Sequence, residues 1–146
     1  MRYELVPALP SDRDWLEALR RTVYQDLFFA TWGAWDEARH QRHFAECIEL
    51  GDINIIELNG ERAGIIQIFD RPDAIEIGEI QVEPDRQNCG IGTRVLLDII
   101  SAARLARKPV RLSVALKNEN AHRLYTRLGF RQVGRTETHN LMEAPP

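Results

Sequence analysis

Apolar residues follow two spacings along this chain, and the two spacings divide it into strands and helices. Apolar residues that alternate with polar ones predict strands, and apolar residues three or four positions apart predict amphipathic helices. The predicted strands cover residues 2–6, 53–58, 63–69, 75–83, 110–116, 130–133 and 139–143. The predicted helices begin after residue 11, at residue 37, at residue 91 and after residue 118. The order βααβββαβαββ predicts an α/β fold, a central mixed sheet flanked by about four helices, in one domain over residues 1–146.

Capping and turn residues set the expected limits of these elements. The run Ser11–Asp14 has the composition of a capping box for the first helix, and the aromatic run 28–35 is expected to end that helix as a connector. The apolar stripe of this helix comprises Trp15, Leu19, Val23 and Leu27. Its other faces carry Glu17, Arg20, Arg21 and Gln25. Asp36 and Gly51 are expected to bound the second helix, and Asn59-Gly60 is expected to close a hairpin.

A turn with two glycines joins the fourth predicted strand to the third helix. The helix begins at Ile91, shortly after the strand 75–83, so Gly90 and Gly92 fall at its start. The first N–H groups of a helix have no partner within it and lie at the positive end of the helix dipole. Because glycines let a ligand approach the backbone, the turn is expected to bind a phosphate or pyrophosphate. The strands 75–83 and 110–116 bracket this helix and are therefore expected to be parallel.

Two common phosphate-binding motifs are missing from this turn. The dinucleotide fingerprint requires a third glycine where this chain has Val95. The triphosphate loop requires Gly-Lys followed by Ser or Thr, and no such run follows Gly92. Another phosphate-bearing cofactor is expected, and a nucleotide-binding protein that uses the same turn stays open as an alternative.

Composition restricts the class of protein and of partner. The 146-residue chain is long enough for one core, and its net charge of −3 predicts no general attraction to nucleic acid or to anionic membranes. No apolar run approaches the roughly 20 residues of a membrane span, and the N-terminus lacks a signal-peptide core. Cys47 and Cys89 form neither a metal pattern nor a disulfide framework. We therefore expect a cytoplasmic protein without a metal.

The glycine turn carries a family resemblance. The run Gln87-x-x-Gly90-x-Gly92 resembles the acetyl-CoA signature, Arg/Gln-x-x-Gly-x-Gly/Ala, of the GCN5-related N-acetyltransferase (GNAT) family. Family members often place Arg and Gly where this chain has Asn88 and Cys89. That departure removes one basic contact, whereas binding by the backbone tolerates it.

A second run supports the resemblance. Asn118-x-x-Ala121-x-x-x-Tyr125-x-x-x-Gly129-Phe130 resembles a motif that the family carries in the helix after its fifth strand. The order of the predicted elements resembles the family fold over nearly the whole chain. Both motifs stand in the family order and on the expected elements.

The resemblance implies a cofactor and its contacts. Acetyl-CoA would be the co-substrate, and its acetyl group would pass directly to a primary amine of a small molecule or peptide in a ternary complex. The pyrophosphate would lie on the backbone of the turn, which comprises Gln87, Asn88, Cys89, Gly90, Ile91, Gly92 and Thr93. The backbone of Ile80, Gln81 and Val82 would bind the pantetheine amides like an added strand, with Asn118 on the other side of the arm.

Acetyl transfer to an amine requires a base and an acid. The acceptor must lose a proton, because an ammonium group has no lone pair with which to attack. The resemblance implies that Tyr125 protonates the departing thiolate. Glu79, three residues before Val82, is the expected base, with Glu76 as the substitute. A core tyrosine and a surface carboxylate are the structural alternatives to these roles.

The resemblance implies an acceptor site between the first two helices. Trp32 and Trp35 in their connector would wall an aromatic or cationic pocket, or else cover the core. Arg39, Arg42 and His43 follow and would hold an acidic acceptor, or else form a solvated helix face. The sequence names no acceptor. A homodimer is a candidate assembly, and a non-catalytic acyl-CoA-sensing module is the alternative function.

Overall fold

The computed structural model describes residues 2–146. Its strands are β1 (Tyr3–Pro7), β2 (Ile53–Leu58), β3 (Glu61–Asp70), β4 (Ile75–Val82), β5 (Val110–Ala115), β6 (Arg131–Arg135) and β7 (His139–Ala144). Its helices are α1 (Arg13–Trp32), α2 (Glu37–Leu50), α3 (Ile91–Leu105) and α4 (Glu119–Arg127). Within these residues the strands form a seven-stranded mixed sheet, which confirms the predicted fold class and element order.

The chain forms two compact units, and β4 contributes to both. The first unit comprises the residues up to Ile68 together with Glu79–Cys89, and the second comprises Phe69–Gly78 and Gly90–Pro146. The expectation of a single domain stays a prediction. No helix within residues 2–146 is both long enough and apolar enough to cross a membrane.

In the first unit the strands follow the order β1-β2-β3-β4. β1 pairs antiparallel with β2, and β2 with β3, across the predicted hairpin at Asn59-Gly60. Both turn residues have positive φ angles, 52° and 79°, as a type I′ turn requires, so the hairpin prediction is confirmed. Between the helices and the sheet lies a core cluster of Leu16, Leu19, Phe44, Ile55 and Ile65.

Helix α1 differs from its prediction at both ends. The side chain of Asp12 accepts a hydrogen bond from the N–H of Leu9 at 2.8 Å and closes a 3₁₀ turn, so the capping box predicted at Ser11–Asp14 is wrong. The helix continues through the aromatic run to Trp32, and Gly33 ends it in the left-handed conformation. Residues 28–32 are thus helical and not a connector. Phe28 and Trp32 continue the four-residue spacing of the helix.

The buried face of α1 also differs from the predicted stripe. Its buried residues are Leu16, Leu19, Arg20 and Phe28. Arg20, which the pattern placed on a polar face, is only 5% exposed, so that placement is wrong. Trp15 is half-buried instead, because its indole N–H donates to Glu83 at 3.1 Å and needs that polar acceptor at the edge of the core.

Helix α2 begins and ends as predicted. Asp36 accepts a hydrogen bond from the N–H of Arg39 at 3.0 Å, which caps the first turn. At the other end the side-chain amide of the buried Gln67, from β3, donates to the carbonyls of Cys47 at 3.0 Å and Gly51 at 2.9 Å. A side chain from a strand thus donates to carbonyls at the end of the helix that have no N–H partner within the helix.

In the second unit the strands follow the order β4-β5-β7-β6. The start of β4 pairs parallel with β5 through Ile75–Val110 and Glu76–Arg111, which confirms the parallel prediction. β7 pairs antiparallel with both β5 and β6. The buried face of α3 comprises Ile91, Val95, Leu96, Ile100 and Ala103.

Candidate active site

The turn before α3 combines two left-handed residues with an uncapped helix start. Asn88 has a φ of 61°, and Gly90, at the N-cap, has a φ of 87° and a ψ of 5°. Gly90 has no side chain that could cap the helix. The N–H groups of Gly92 and Thr93, in the first turn, therefore lack the side-chain acceptor that most helices provide.

The side chains of this turn hold it closed. The side-chain amide of Gln87 donates to the carbonyl of Val82 at 3.0 Å. Arg86 forms an ion pair with Glu61 on β3, and the exposed thiol of Cys89 donates to the carbonyl of Arg86. Because the side chains of Gln87 and Cys89 are engaged with backbone carbonyls and the helix start has no side-chain cap, the first N–H groups of α3 are suited to a ligand.

The C-terminal half of β4 is an edge strand within the first unit. It lies against β3, where the N–H of Glu83 donates to the carbonyl of Ala63 at 2.8 Å. Gly64 of β3 approaches so closely that a Cβ built there would stand 2.2 Å from the carbonyl oxygen of Gln81. The opposite edge of Ile80–Val82 faces away from β3, where a ligand amide can pair with it.

Glu79, the predicted base, is held by two hydrogen-bond donors. The hydroxyl of Tyr24 on α1 donates to Glu79 Oε2 at 2.5 Å. The side-chain amide of Gln81 approaches the same oxygen at 3.4 Å, so Glu79 and Gln81 share one face of β4. Glu76, the predicted substitute, instead pairs with Arg71 at 3.4 Å.

A buried polar chain of Arg20, His40 and Glu17 lies behind Tyr24, and the hydropathy pattern did not predict it. The guanidinium of Arg20 stacks over the Tyr24 ring at 4.5 Å, and its Nη1 donates to His40 Nδ1 at 3.2 Å. Because an arginine only donates, His40 carries its proton on Nε2, which donates to Glu17 Oε1 at 3.0 Å. One feature of the sequence could have indicated this chain. Arg20 lies four residues after Leu16 and therefore on the same, buried face of α1.

The charges of this region act on nearby titratable groups. Burial raises the pKa of Glu17, but the hydrogen bonds from His40 and Arg21 outweigh it and hold that pKa below its usual value. Burial, followed by the positive charge of Arg20, lowers the pKa of His43. Burial, with the negative charge of Glu79 adding to it, raises the pKa of the Cys47 thiol to about 12.

The two tryptophans predicted at the acceptor site lie at the end of α1 and just beyond it. Trp32 is 43% exposed, stands edge-on to Phe28 at 5.0 Å and carries the guanidinium of Arg39 over its ring at 4.1 Å. Trp35 stacks on Phe28 at 4.5 Å, and its indole N–H donates to Glu37 at 2.7 Å. Both rings therefore cover Phe28 and also present a face or edge to solvent.

In the second unit the run Asn118–Phe130 builds one compact motif. Asn118 caps α4 by accepting a hydrogen bond from the N–H of Ala121 at 3.3 Å. Tyr125 is buried in the last turns of this helix, its ring 5.7 Å from that of Phe130. Gly129, with a φ of 101°, allows the chain to turn back so that these rings meet.

Within residues 2–146, no three His, Cys, Asp or Glu side chains are grouped so that they could hold a metal ion. His40, one of the two histidines spaced three apart on α2, is fully buried and bonded to Arg20 and Glu17.

Comparison with known proteins gives a family and a fold. A sequence model described as the acetyltransferase (GNAT) family matches residues 13–130. An uncharacterized N-acetyltransferase of Methanocaldococcus jannaschii is 33% identical over 86 residues, which are 53% of this chain and only 38% of that protein.

Solved structures resemble the whole chain. A protein of Pyrococcus horikoshii superposes with a TM-score of 0.76 at 19% identity, over 99% of this chain and 98% of that one. The paiA N-acetyltransferase of Thermoplasma acidophilum, in complex with coenzyme A, has a TM-score of 0.73 at 16% identity over 100% of both chains. At these identities the likeness is one of fold.

Proposed function

This chain belongs to the GNAT acetyltransferase family, and we propose that it transfers the acetyl group of acetyl-CoA to a primary amine. The observation that carries the proposal is the backbone of the turn before α3. Gly90, the N-cap residue, has a left-handed backbone conformation and no side chain. The N–H groups of Gly92 and Thr93 therefore have no side-chain cap. Such N–H groups at a helix start bind phosphate oxygens, and acetyl-CoA carries a pyrophosphate.

This geometry and family membership support the following proposed cofactor contacts. The backbone of residues 87–93 would receive the pyrophosphate, since the side chains of Gln87 and Cys89 are engaged within the turn. The edge of Ile80–Val82 that faces away from β3 would pair with the pantetheine amides. Asn118 would contact the pantetheine arm as well. The coenzyme A bound to the Thermoplasma acidophilum relative supports this choice of cofactor.

Two side chains are assigned to the proton transfers. The amine nitrogen attacks the thioester carbonyl and forms the C–N bond, while Glu79 accepts the proton that this nitrogen loses, directly or through one water. The tetrahedral intermediate then breaks its C–S bond, and the Tyr125 hydroxyl gives a proton to the thiolate. Solvent returns the proton from Glu79 to Tyr125. The products are the acetamide and CoA.

The hydrogen bonds at Glu79 support its role. Tyr24 donates to one carboxylate oxygen at 2.5 Å, which fixes the orientation of the carboxylate and leaves the second oxygen for the acceptor amine. Glu79 is also only half-buried, so an acceptor can reach it. Trp32 and Trp35 stay proposed acceptor contacts, since both lie near the start of α2 and keep part of their rings in solvent.

The test is a thiol-release assay over a panel of amines, combined with calorimetric titration of acetyl-CoA. Glu79→Gln and Tyr125→Phe are expected to lower kcat by about 10²-fold each, because each removes one proton-transfer group, while acetyl-CoA still binds. If neither change lowers turnover, the assigned roles are wrong. Binding of acetyl-CoA without turnover of any amine would favour the acyl-CoA sensor. Preferential binding of ATP or NAD would favour a nucleotide-binding protein.

A further inference from the structure

Arg20 is a buried cation without a carboxylate partner. It is 5% exposed, and within residues 2–146 no carboxylate oxygen lies within the 4.0 Å of an ion pair. Its Nη1 forms a hydrogen bond with Nδ1 of His40, and its Nε is sealed from solvent without a hydrogen-bond partner among these residues. Burying a charge that is neither paired nor fully hydrogen-bonded costs folding free energy. A buried arginine of this kind is therefore a candidate for a functional role.

The surroundings of Arg20 leave its charge uncancelled. Glu17, the carboxylate of the buried polar chain, is separated from Arg20 by the His40 ring and forms its hydrogen bond with that ring. The charge still reaches neighbouring groups, since it is the second cause, after burial, of the lowered pKa of His43. Among the residues that the structure describes, Arg20 is therefore left without a direct ion pair.

A small recess opens beside this guanidinium, within the first unit. Its walls are Leu16, Arg20, Phe44, Cys47, Ile53, Ile65 and Gln81. Its volume of about 10 Å³ has room for one water-sized group, such as a single carboxylate oxygen. Among its lining residues, Arg20 and Gln81 carry side-chain N–H donors, and the other walls are mostly apolar. The recess is therefore suited to one anionic oxygen.

Tyr24 links this recess to the proposed base. Its ring lies beneath the Arg20 guanidinium, and its hydroxyl donates to Glu79. A cation over the face of one phenol ring and a carboxylate at its hydroxyl thus lie on either side of Tyr24. An acceptor that carries both an amino group and a carboxylate complements this pair of charges.

We infer that the recess beside Arg20 receives one carboxylate oxygen of the acceptor, an amino carboxylic acid whose amino group is held by Glu79. This inference rests on the acetyltransferase function proposed above. Arg20 recognises the carboxylate through its guanidinium, and Gln81 adds a side-chain donor. His40 is a positioning residue, since its bond from Nη1 orients the guanidinium while Glu17 holds its tautomer.

The test compares acceptors that differ only by the carboxylate. The pairs are L-leucine with 3-methylbutylamine, L-phenylalanine with 2-phenylethylamine, and 4-aminobutyrate with butylamine. In at least one pair the acid is expected to have a kcat/KM about 10- to 100-fold above that of its partner, the usual effect of a charge-assisted hydrogen bond. Arg20→Gln is expected to bring that ratio close to one, and Arg20→Lys to restore part of it.

The ratio separates recognition from folding. Loss of folded protein lowers both rates of a pair equally and leaves their ratio unchanged. Arg104→Gln, which removes an exposed positive charge on α3, serves as the matched control and is expected to keep the ratio of the parent protein. A ratio that stays high in Arg20→Gln would overturn the inference.

Binding distinguishes this inference from the function on which it rests. Titration of the three amino acids into the CoA-saturated protein is expected to show binding that Arg20→Gln abolishes. Efficient acetylation of the carboxylate-free amines, equal to that of the acids, would overturn the recess and keep the acetyltransferase. Absence of turnover on every amine would overturn the proposed function, and absence of binding by every amino acid would overturn the recess.

Discussion

Replacing Gly64 by alanine tests whether the close contact of β3 with β4 shapes the cofactor edge. The new Cβ would stand 2.2 Å from the Gln81 carbonyl oxygen and 3.1 Å from Val82 Cα. Carbon and oxygen atoms in contact normally stay about 3.3 Å apart, so the two strands must separate by roughly 1 Å. Because both contacts are backbone atoms, no side-chain rotation relieves them.

Two effects of known size follow from that separation. Overpacking of a core contact costs about 1–3 kcal/mol of unfolding free energy. For a protein of this size each kcal/mol lowers Tm by about 2–4 °C, so a loss of about 2–12 °C is expected. If Ile80–Val82 binds the pantetheine arm, a shift of about 1 Å also lowers kcat/KM for acetyl-CoA by at least about tenfold.

Thermal unfolding and acetyl-CoA kinetics measure the two effects on the same protein. Gly134→Ala is the matched control, since its Cβ would lie 3.2 Å from a methyl carbon of Leu141 that can rotate away. We expect this control to shift Tm by less than about 2 °C, because rotation of the Leu141 side chain relieves the contact. A Gly64→Ala protein with the Tm of the control would refute the argument from backbone contact.

Three further predictions follow from the same structure. At pH 8 iodoacetamide is expected to modify the exposed Cys89 and to spare the buried Cys47, whose pKa of about 12 leaves little thiolate; two adducts on the native protein by intact-mass measurement would contradict this. Hydrogen bonds from Arg21, Trp35 and Gln41 lower the pKa of Glu37, so its stabilising contribution is present above the usual glutamate pKa of about 4.3 and is lost as pH falls below it. Tm should therefore fall less steeply with acidification in Glu37→Gln than in the parent protein, and parallel curves would count against the pairing. Asn118→Ala removes the cap of α4 and should cost about 1 kcal/mol by denaturant unfolding, whereas Asn118→Ser should retain most of it; equal losses in both would exclude capping as the cause.

Local signals predicted the elements that depend on neighbouring residues. Asn59-Gly60 specifies a hairpin by the dihedral angles it allows, and Asp36 and Gly51 bound α2 by local hydrogen bonds. The limits of α1 were wrong because the Asp12 side chain bonds backward to Leu9 and because aromatic residues continue the helix. Helix ends of this kind depend on which of several local partners a side chain chooses.

The polar chain around the candidate base was beyond the reach of a pattern. A hydropathy pattern assigns arginine to solvent, whereas Arg20 is buried against a histidine 20 residues away on another helix. Tyr24 contacts Glu79 across 55 residues of sequence. Tyr125 was named from the family resemblance and Glu79 from its position three residues before Val82, and both stay predictions until the variants are measured.

The side chain of Gln67 shows how a buried amide can be essential without taking part in catalysis. Its two N–H bonds serve two carbonyls at the end of α2, and its oxygen receives the Cys47 thiol at 3.6 Å. Glutamate has the same shape but would bring an acceptor against acceptors, and methionine would bring no donor at all. If relatives keep this glutamine, its invariance reflects geometry alone, and alignments used to locate the active site should leave it out.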